Sequence, residues 1–96
     1  MAAYFIVDVN VEDPAMYEEY RKRVNPTLEK YGGAFLARGG ATETIEGDWQ
    51  PQRLVILEFA DSEHFKRWYH SPEYTEARAI RFQASQARAI LVQGVQ

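Results

Sequence analysis

At 96 residues, with 46% hydrophobic and 14% aromatic side chains, the chain has the composition of one globular domain and no room for a second core. A net charge of −3 and a pI near 5.3 argue against nucleic acid or an anionic membrane surface as its main partner. Cysteine is absent, which excludes disulfides, thiol catalysis and thiolate metal sites together and fits a reducing compartment.

Met1-Ala-Ala-Tyr-Phe5 leads straight into a strand pattern, without a basic region or a long apolar run. The expectation is a soluble cytoplasmic protein with no signal peptide and no membrane span. Tyr4–Val11 alternates: Phe5, Val7, Val9 and Val11 line one face, and Tyr4, Ile6, Asp8 and Asn10 the other. Asp13-Pro14 then suits a helix start, as cap and first-turn proline. Tyr17, Tyr20, Val24, Leu28 and Tyr31 recur at spacings of three and four, one apolar stripe on a charged helix. Pro26 interrupts the stripe, so a kink near Asn25 or two helical pieces in line are expected. Gly32-Gly33 ends it.

Ala34–Arg38 reads as a short strand, broken at Gly39-Gly40 as a bulge and resumed over Ala41–Glu46. Gly47–Pro51 reads as a hairpin loop into a strand over Arg53–Phe59. Asp61 and Ser62 cap a helix with Phe65, Trp68 and Tyr69 on its aromatic face, and Ser71-Pro72 starts a continuation to about Gln83. Arg88–Gln93 is a last strand.

The order is α+β: strand, helix, strand, strand, helix, strand. This is the split βαβ, ferredoxin-like arrangement, a four-stranded antiparallel sheet with its helices on one face. The third strand is apolar on both sides, with Leu54 and Ile56 opposite Val55, Leu57 and Phe59, and the last repeats this with Ile90 and Val92 opposite Ala89 and Leu91. Helices cover one face only, so the other needs a cover that the chain does not supply. A second copy of the chain is the expected cover, related by a two-fold axis. The chain is read as a homodimer.

Three segments carry a resemblance: Tyr17–Gly33 (YEEYRKRVNPTLEKYGG), Ala37–Gly40 (ARGG) and Leu57–Tyr74 (LEFADSEHFKRWYHSPEY). In these the chain resembles the small bacterial family called domain of unknown function 1330, of the dimeric α+β barrel superfamily. The run Trp68–Tyr74 is the most specific part. The resemblance implies a ferredoxin-like fold and a dimer of face-packed sheets. It implies no established reaction, because that superfamily includes cofactor-free monooxygenases, haem-binding enzymes and lactone isomerases.

Two residues are candidates for catalysis. Arg38 could hold a carboxylate or enolate oxygen, with Gly39-Gly40 admitting a ligand to the backbone; the plain alternative is a surface arginine beside a bulge. Glu58 interrupts an apolar strand, where a carboxylate must be paired, hydrogen-bonded or neutral; it could serve as a base or acid, or pair with Arg38 or Arg53. Tyr17, Tyr20, Trp68, Tyr69 and Tyr74, with Arg38, could wall a ligand pocket, although aromatics at helical spacing are more often core. His64 and His70 lack partners at metal-ligand spacing, so no metal site is expected. A haem enzyme of the superfamily would offer a histidine on the first helix, and Met16–Tyr31 has none; no cofactor is expected. Arg53–Phe59 lacks the aromatic pair and glycine of RNA-recognition modules.

Two functions follow from these readings. One is a small-molecule pocket between sheet and helices, with a cofactor-independent enzyme as its catalytic form. The other is a non-catalytic dimeric structural or interaction module.

Overall fold

A computed structural model describes residues 1–95. The elements are β1 (Ala3–Val11), α1 (Pro14–Tyr31), β2 (Ala34–Arg38), β3 (Leu54–Phe59), α2 (Ser62–Tyr69), α3 (Pro72–Ala84) and β4 (Ser85–Gln93). The strands form one sheet in the order β2-β3-β1-β4, every neighbour antiparallel. This is the ferredoxin-like α+β fold. All three helices contribute to one core, in which Phe5, Val7, Val9, Leu57 and Phe59 of the sheet meet Tyr17, Val24 and Leu28 of α1, Phe65 and Trp68 of α2, and Tyr74 and Ala77 of α3.

The helix ends form where the side chains dictate. Asp13 Oδ1 accepts from the Met16 amide at 3.1 Å, Asp61 Oδ1 from the His64 amide at 2.8 Å, and Ser71 Oγ from the Tyr74 amide at 3.1 Å. Each satisfies one of the orphan donors of a first turn. Gly32 closes α1 in the left-handed region at φ 78°. Gly33 is required for space: a Cβ there would collide with Leu28 and the Phe59 ring.

Four expectations need correction. First, α1 is one continuous helix through Pro26 and not two pieces in line. Pro26 cannot donate to the preceding turn, but the next residue, Thr27, donates its hydroxyl to the Val24 carbonyl at 2.7 Å and adds a bond locally. Second, β2 does not resume after Gly39-Gly40; residues 41–46 form no strand. Gly39, at φ 71°, turns the chain, and its amide makes a 2.8 Å bond to the Leu54 carbonyl. Beyond it the facing segment contains Pro51, which lacks a ladder donor, and residues 39–53 form a long connection in place of a tight hairpin. Third, the bulge lies between Phe35 and Ala37, at Leu36, rather than at the glycines. Fourth, β4 begins at Ser85, directly from α3. β1 is long enough to pair with it as far as Val11↔Ser85.

The outer sheet face carries rows read directly from the register. Ile56, Ile6 and Ile90 lie side by side across β3, β1 and β4; Glu58, Tyr4 and Val92 form the next row, and Leu54, Asp8 and Arg88 the row on the other side. The residue 39–53 connection is tied to this face at Asp8, which accepts from Trp49 Nε1 at 3.1 Å and the Gln52 amide at 3.0 Å.

Candidate functional site

Under the helices, on the inner sheet face, lies a narrow cavity of about 30 Å³. That is room for one or two water-sized groups. Its walls are mostly apolar: Phe5, Val7 and Val9 of β1, Phe35 of β2, Val55 and Leu57 of β3, and Val24 of α1. The polar atoms come from three tyrosines, Tyr17, Tyr20 and Tyr74, and four arginines, Arg21, Arg38, Arg53 and Arg81.

The tyrosines sit on facing helices. Tyr20 of α1 and Tyr74 of α3 share a buried hydroxyl–hydroxyl hydrogen bond of 3.0 Å, and Tyr17 packs against Tyr20 at 5.4 Å between ring centroids. Burial, then the neighbouring Tyr74, pushes the Tyr20 pKa well above its ordinary value; burial likewise raises that of Tyr74. Both phenols are therefore neutral at physiological pH, able to donate a hydrogen bond or pass a proton and unable to act as a standing phenolate.

The arginines differ in exposure. Arg81 is 4% exposed, Arg53 is half-buried, and Arg21 and Arg38 are exposed. Arg21 pairs with Glu18 at 3.3 Å. Arg38 reaches Asn25 Oδ1 at 3.3 Å and stacks over Phe35, its guanidinium 4.6 Å from the ring centroid. Arg53 lies 5.7 Å from the Tyr17 ring centroid, and its Nε is buried without a hydrogen-bond partner among the described residues. Gly39 makes room for it: a Cβ at that position would collide with the Arg53 guanidinium. Gly39 of the ARGG segment thus admits an arginine where a ligand was expected, while a Cβ on Gly40 would meet nothing. Arg81 lies beside the Tyr74 hydroxyl; burial pulls its pKa down, but Tyr74 and Tyr20 outweigh it and the guanidinium stays charged.

Arg38 and Glu58 do not meet. Arg38 pairs with Val55 in the register and faces the cavity, while Glu58 lies in the outer-face row with Tyr4. The Leu36 bulge sets this parity. Glu58 is therefore on the far side of the sheet from the cavity. Trp68 and Tyr69 are also not part of the lining. Trp68 is completely buried, stacked on Tyr74 at 3.8 Å between centroids, and its indole donates to Thr27 Oγ1 at 2.9 Å. Tyr69 packs against Phe5 and Phe65 and carries the Arg78 guanidinium 4.4 Å above its ring. These two support the wall from behind.

Arg81 was not singled out from the sequence, and Arg53 was named there only as a possible partner of Glu58, which lies on the other face of the sheet. Arg81 was visible in principle, since Tyr74, Ala77, Arg81 and Ala84 recur at helical spacing and all four are buried. Among the described residues, no group of three His, Asp or Glu side chains is placed to hold a metal ion, and no helix is long and apolar enough to cross a membrane.

Fold and site together define a ferredoxin-like α+β protein with an arginine-bearing, tyrosine-lined cavity beneath its helices. The chain belongs to the family described as domain of unknown function DUF1330, whose profile matches residues 2–95. Among solved structures it is similar to the RPA0582 protein of unknown function from Rhodopseudomonas palustris, with 20% identity, a TM-score of 0.79, and coverage of 99% of this chain and 83% of that one. It is also similar to SnoaB, a cofactor-independent oxygenase from Streptomyces nogalater, with 16% identity, a TM-score of 0.68, and coverage of 99% and 94%. A dimeric ferredoxin-like protein of unknown function from Bacteroides fragilis matches with 13% identity, a TM-score of 0.65, and coverage of 97% and 96%. Comparison with curated protein sequences gives no match.

Proposed function

We propose that this chain is a homodimeric small-molecule-binding protein, each subunit holding its ligand in the cavity between the sheet and helices α1 and α3. The observation that carries this reading is the convergence of Tyr17, Tyr20, Tyr74 and Arg38 on one apolar recess. Apolar walls with a few converging polar atoms are the usual form of a ligand site. The Tyr20–Tyr74 pair is the group that would pass a proton to or from a bound substrate. A cofactor-independent oxygenase among the structural neighbours supports an enzymatic use of the same fold. The dimer is proposed through the outer sheet face, where Ile90 and Val92 are 62% and 43% exposed, and dimeric ferredoxin-like neighbours support it.

The small size of the cavity favours a second reading, a non-catalytic dimeric module whose purpose is its outer face. A thermal-shift screen with small aromatic and carboxylic acids separates the two, because a ligand that binds only the native state raises its melting temperature. The pocket reading expects shifts that Tyr20→Ala abolishes. A screen without any shift leaves the module.

A further inference from the structure

The chain carries 14 acidic and 11 basic side chains, yet four of its arginines line one cavity and no acidic residue does. Three of them, Arg38, Arg53 and Arg81, form no ion pair among the described residues. A guanidinium cannot shed its proton to escape burial, so Arg81 must be compensated by an anion or by hydrogen-bond acceptors. Beside it the Tyr74 hydroxyl is a hydrogen-bond acceptor but a neutral one, so it offsets part of the burial without supplying a counter-charge. Arg53 adds a buried Nε–H with no acceptor. Both residues line a space large enough for a pair of oxygen atoms.

We propose that the cavity is the seat of a carboxylate, held by Arg81 and Arg53, with the rest of the acid extending towards the exposed Arg38 and Arg21. This rests on the pocket reading above and names its ligand class. A planar carboxylate matches the fork of a guanidinium, and charge-assisted bonds in a dry site are the strong ones. The neutral Tyr20–Tyr74 pair shares one hydrogen bond, so it leaves one O–H to donate and introduces no competing negative charge. The exposed Arg38, which makes no ion pair among the described residues, adds positive charge at the mouth on a chain that is negative overall, which favours anions there. Gly39 acts as a positioning residue, because only its missing side chain leaves room for the Arg53 guanidinium.

The test uses matched probes on the full chain: benzoate against benzamide, and pyruvate as a short acid, each titrated by calorimetry. Benzoate or pyruvate should bind at least about tenfold more tightly than benzamide. Arg81→Met should fold, since the guanidinium it removes has no carboxylate partner among the described residues, and should weaken the acid roughly 10- to 100-fold. Gly39→Ala should weaken it as well. In the unaltered protein, the Nε–H resonances of Arg53 and Arg81 should move as benzoate is added. Equal binding of benzamide and benzoate overturns the carboxylate and leaves the pocket standing. No binding by any of the three probes removes both. Arg81→Met with undiminished acid affinity, or Arg53 and Arg81 resonances that stay still at saturation, also overturns the assignment, the latter whether or not the variants fold.

Discussion

Thr27 shows how much one hydroxyl can organise. It donates back to the Val24 carbonyl, beside the proline that breaks the hydrogen-bond ladder, and accepts from the Trp68 indole, which has no route to water. Thr27→Val keeps the shape and strands a buried N–H, at a cost of about 1–3 kcal/mol, whereas Thr27→Ser should recover most of it; urea midpoints of the two variants check this. The buried tyrosines set an alkaline limit. The pKa values of Tyr20 and Tyr74 are raised above the ordinary 10.0, so in the unfolded chain these phenols ionise first. Their contribution is intact below about pH 10 and is lost as pH rises towards the folded values. Denaturation midpoints should fall between about pH 9 and about pH 11, and less steeply in Tyr74→Phe. Arg38→Ala, by contrast, removes an exposed side chain that makes no ion pair among the described residues and should change stability by no more than about 0.5 kcal/mol.

The elements themselves were legible wherever a periodic apolar pattern met a cap. Asp13, Asp61 and Ser71 marked the helix starts, and the alternation from Phe5 to Val9 marked β1 and its buried face. The connection from residue 39 to 53 was not legible, because Thr42, Thr44 and Ile45 have strand propensity but form no strand; what ties the connection down is the bonding of Trp49 and Gln52 to Asp8, a tertiary contact that no local pattern announces. The candidate site was half legible for the same reason. Tyrosines at helical spacing point to a shared face, but the parity that parts Arg38 from Glu58 is set by a one-residue bulge at Leu36, and Arg53 reaches its place through a glycine across the chain. Asp8 is the contact that holds the long connection. Burial pushes its carboxyl up, but the bonds from Trp49, Gln52 and the Arg53 backbone outweigh it and hold the pKa below the usual 3.8. The hold is therefore present above about pH 4 and lost as pH falls through the lowered value. The Trp49 indole N–H should exchange faster with solvent in that range, and at neutral pH in Asp8→Ala.

At the scale of the whole molecule, the two sheet faces have different occupants. The inner face is filled by its own helices, apart from the narrow cavity. The outer face presents Ile56, Ile6 and Ile90 in one row, flanked by Tyr4, Val92 and Leu54. Strands lie about 4.8 Å apart, so the isoleucines make a stripe roughly 10 Å wide that water would otherwise wet. The flanking rows contain Glu58 at one end and the Asp8–Arg88 pair at the other, with Arg88 Nη2 3.6 Å from Asp8 Oδ2. An apolar centre with a polar rim is the form of an association surface, and a two-fold axis would lay the isoleucine stripe against its own copy. Ile90 is 62% exposed in one subunit, so a charge placed there costs an isolated subunit little. In the proposed dimer the same charge would be buried without a partner, a penalty of several kcal/mol per ion. Ile90→Asp should therefore shift sedimentation from dimer to monomer at micromolar concentration. Far-ultraviolet circular dichroism should remain that of a folded α+β protein, unless the monomer needs its partner to fold. In that case Ile90→Thr, polar but uncharged, should weaken association by a smaller step and remain folded. A parent chain that sediments as a monomer at those concentrations, or an Ile90→Asp variant that remains dimeric, would retire this face as the interface.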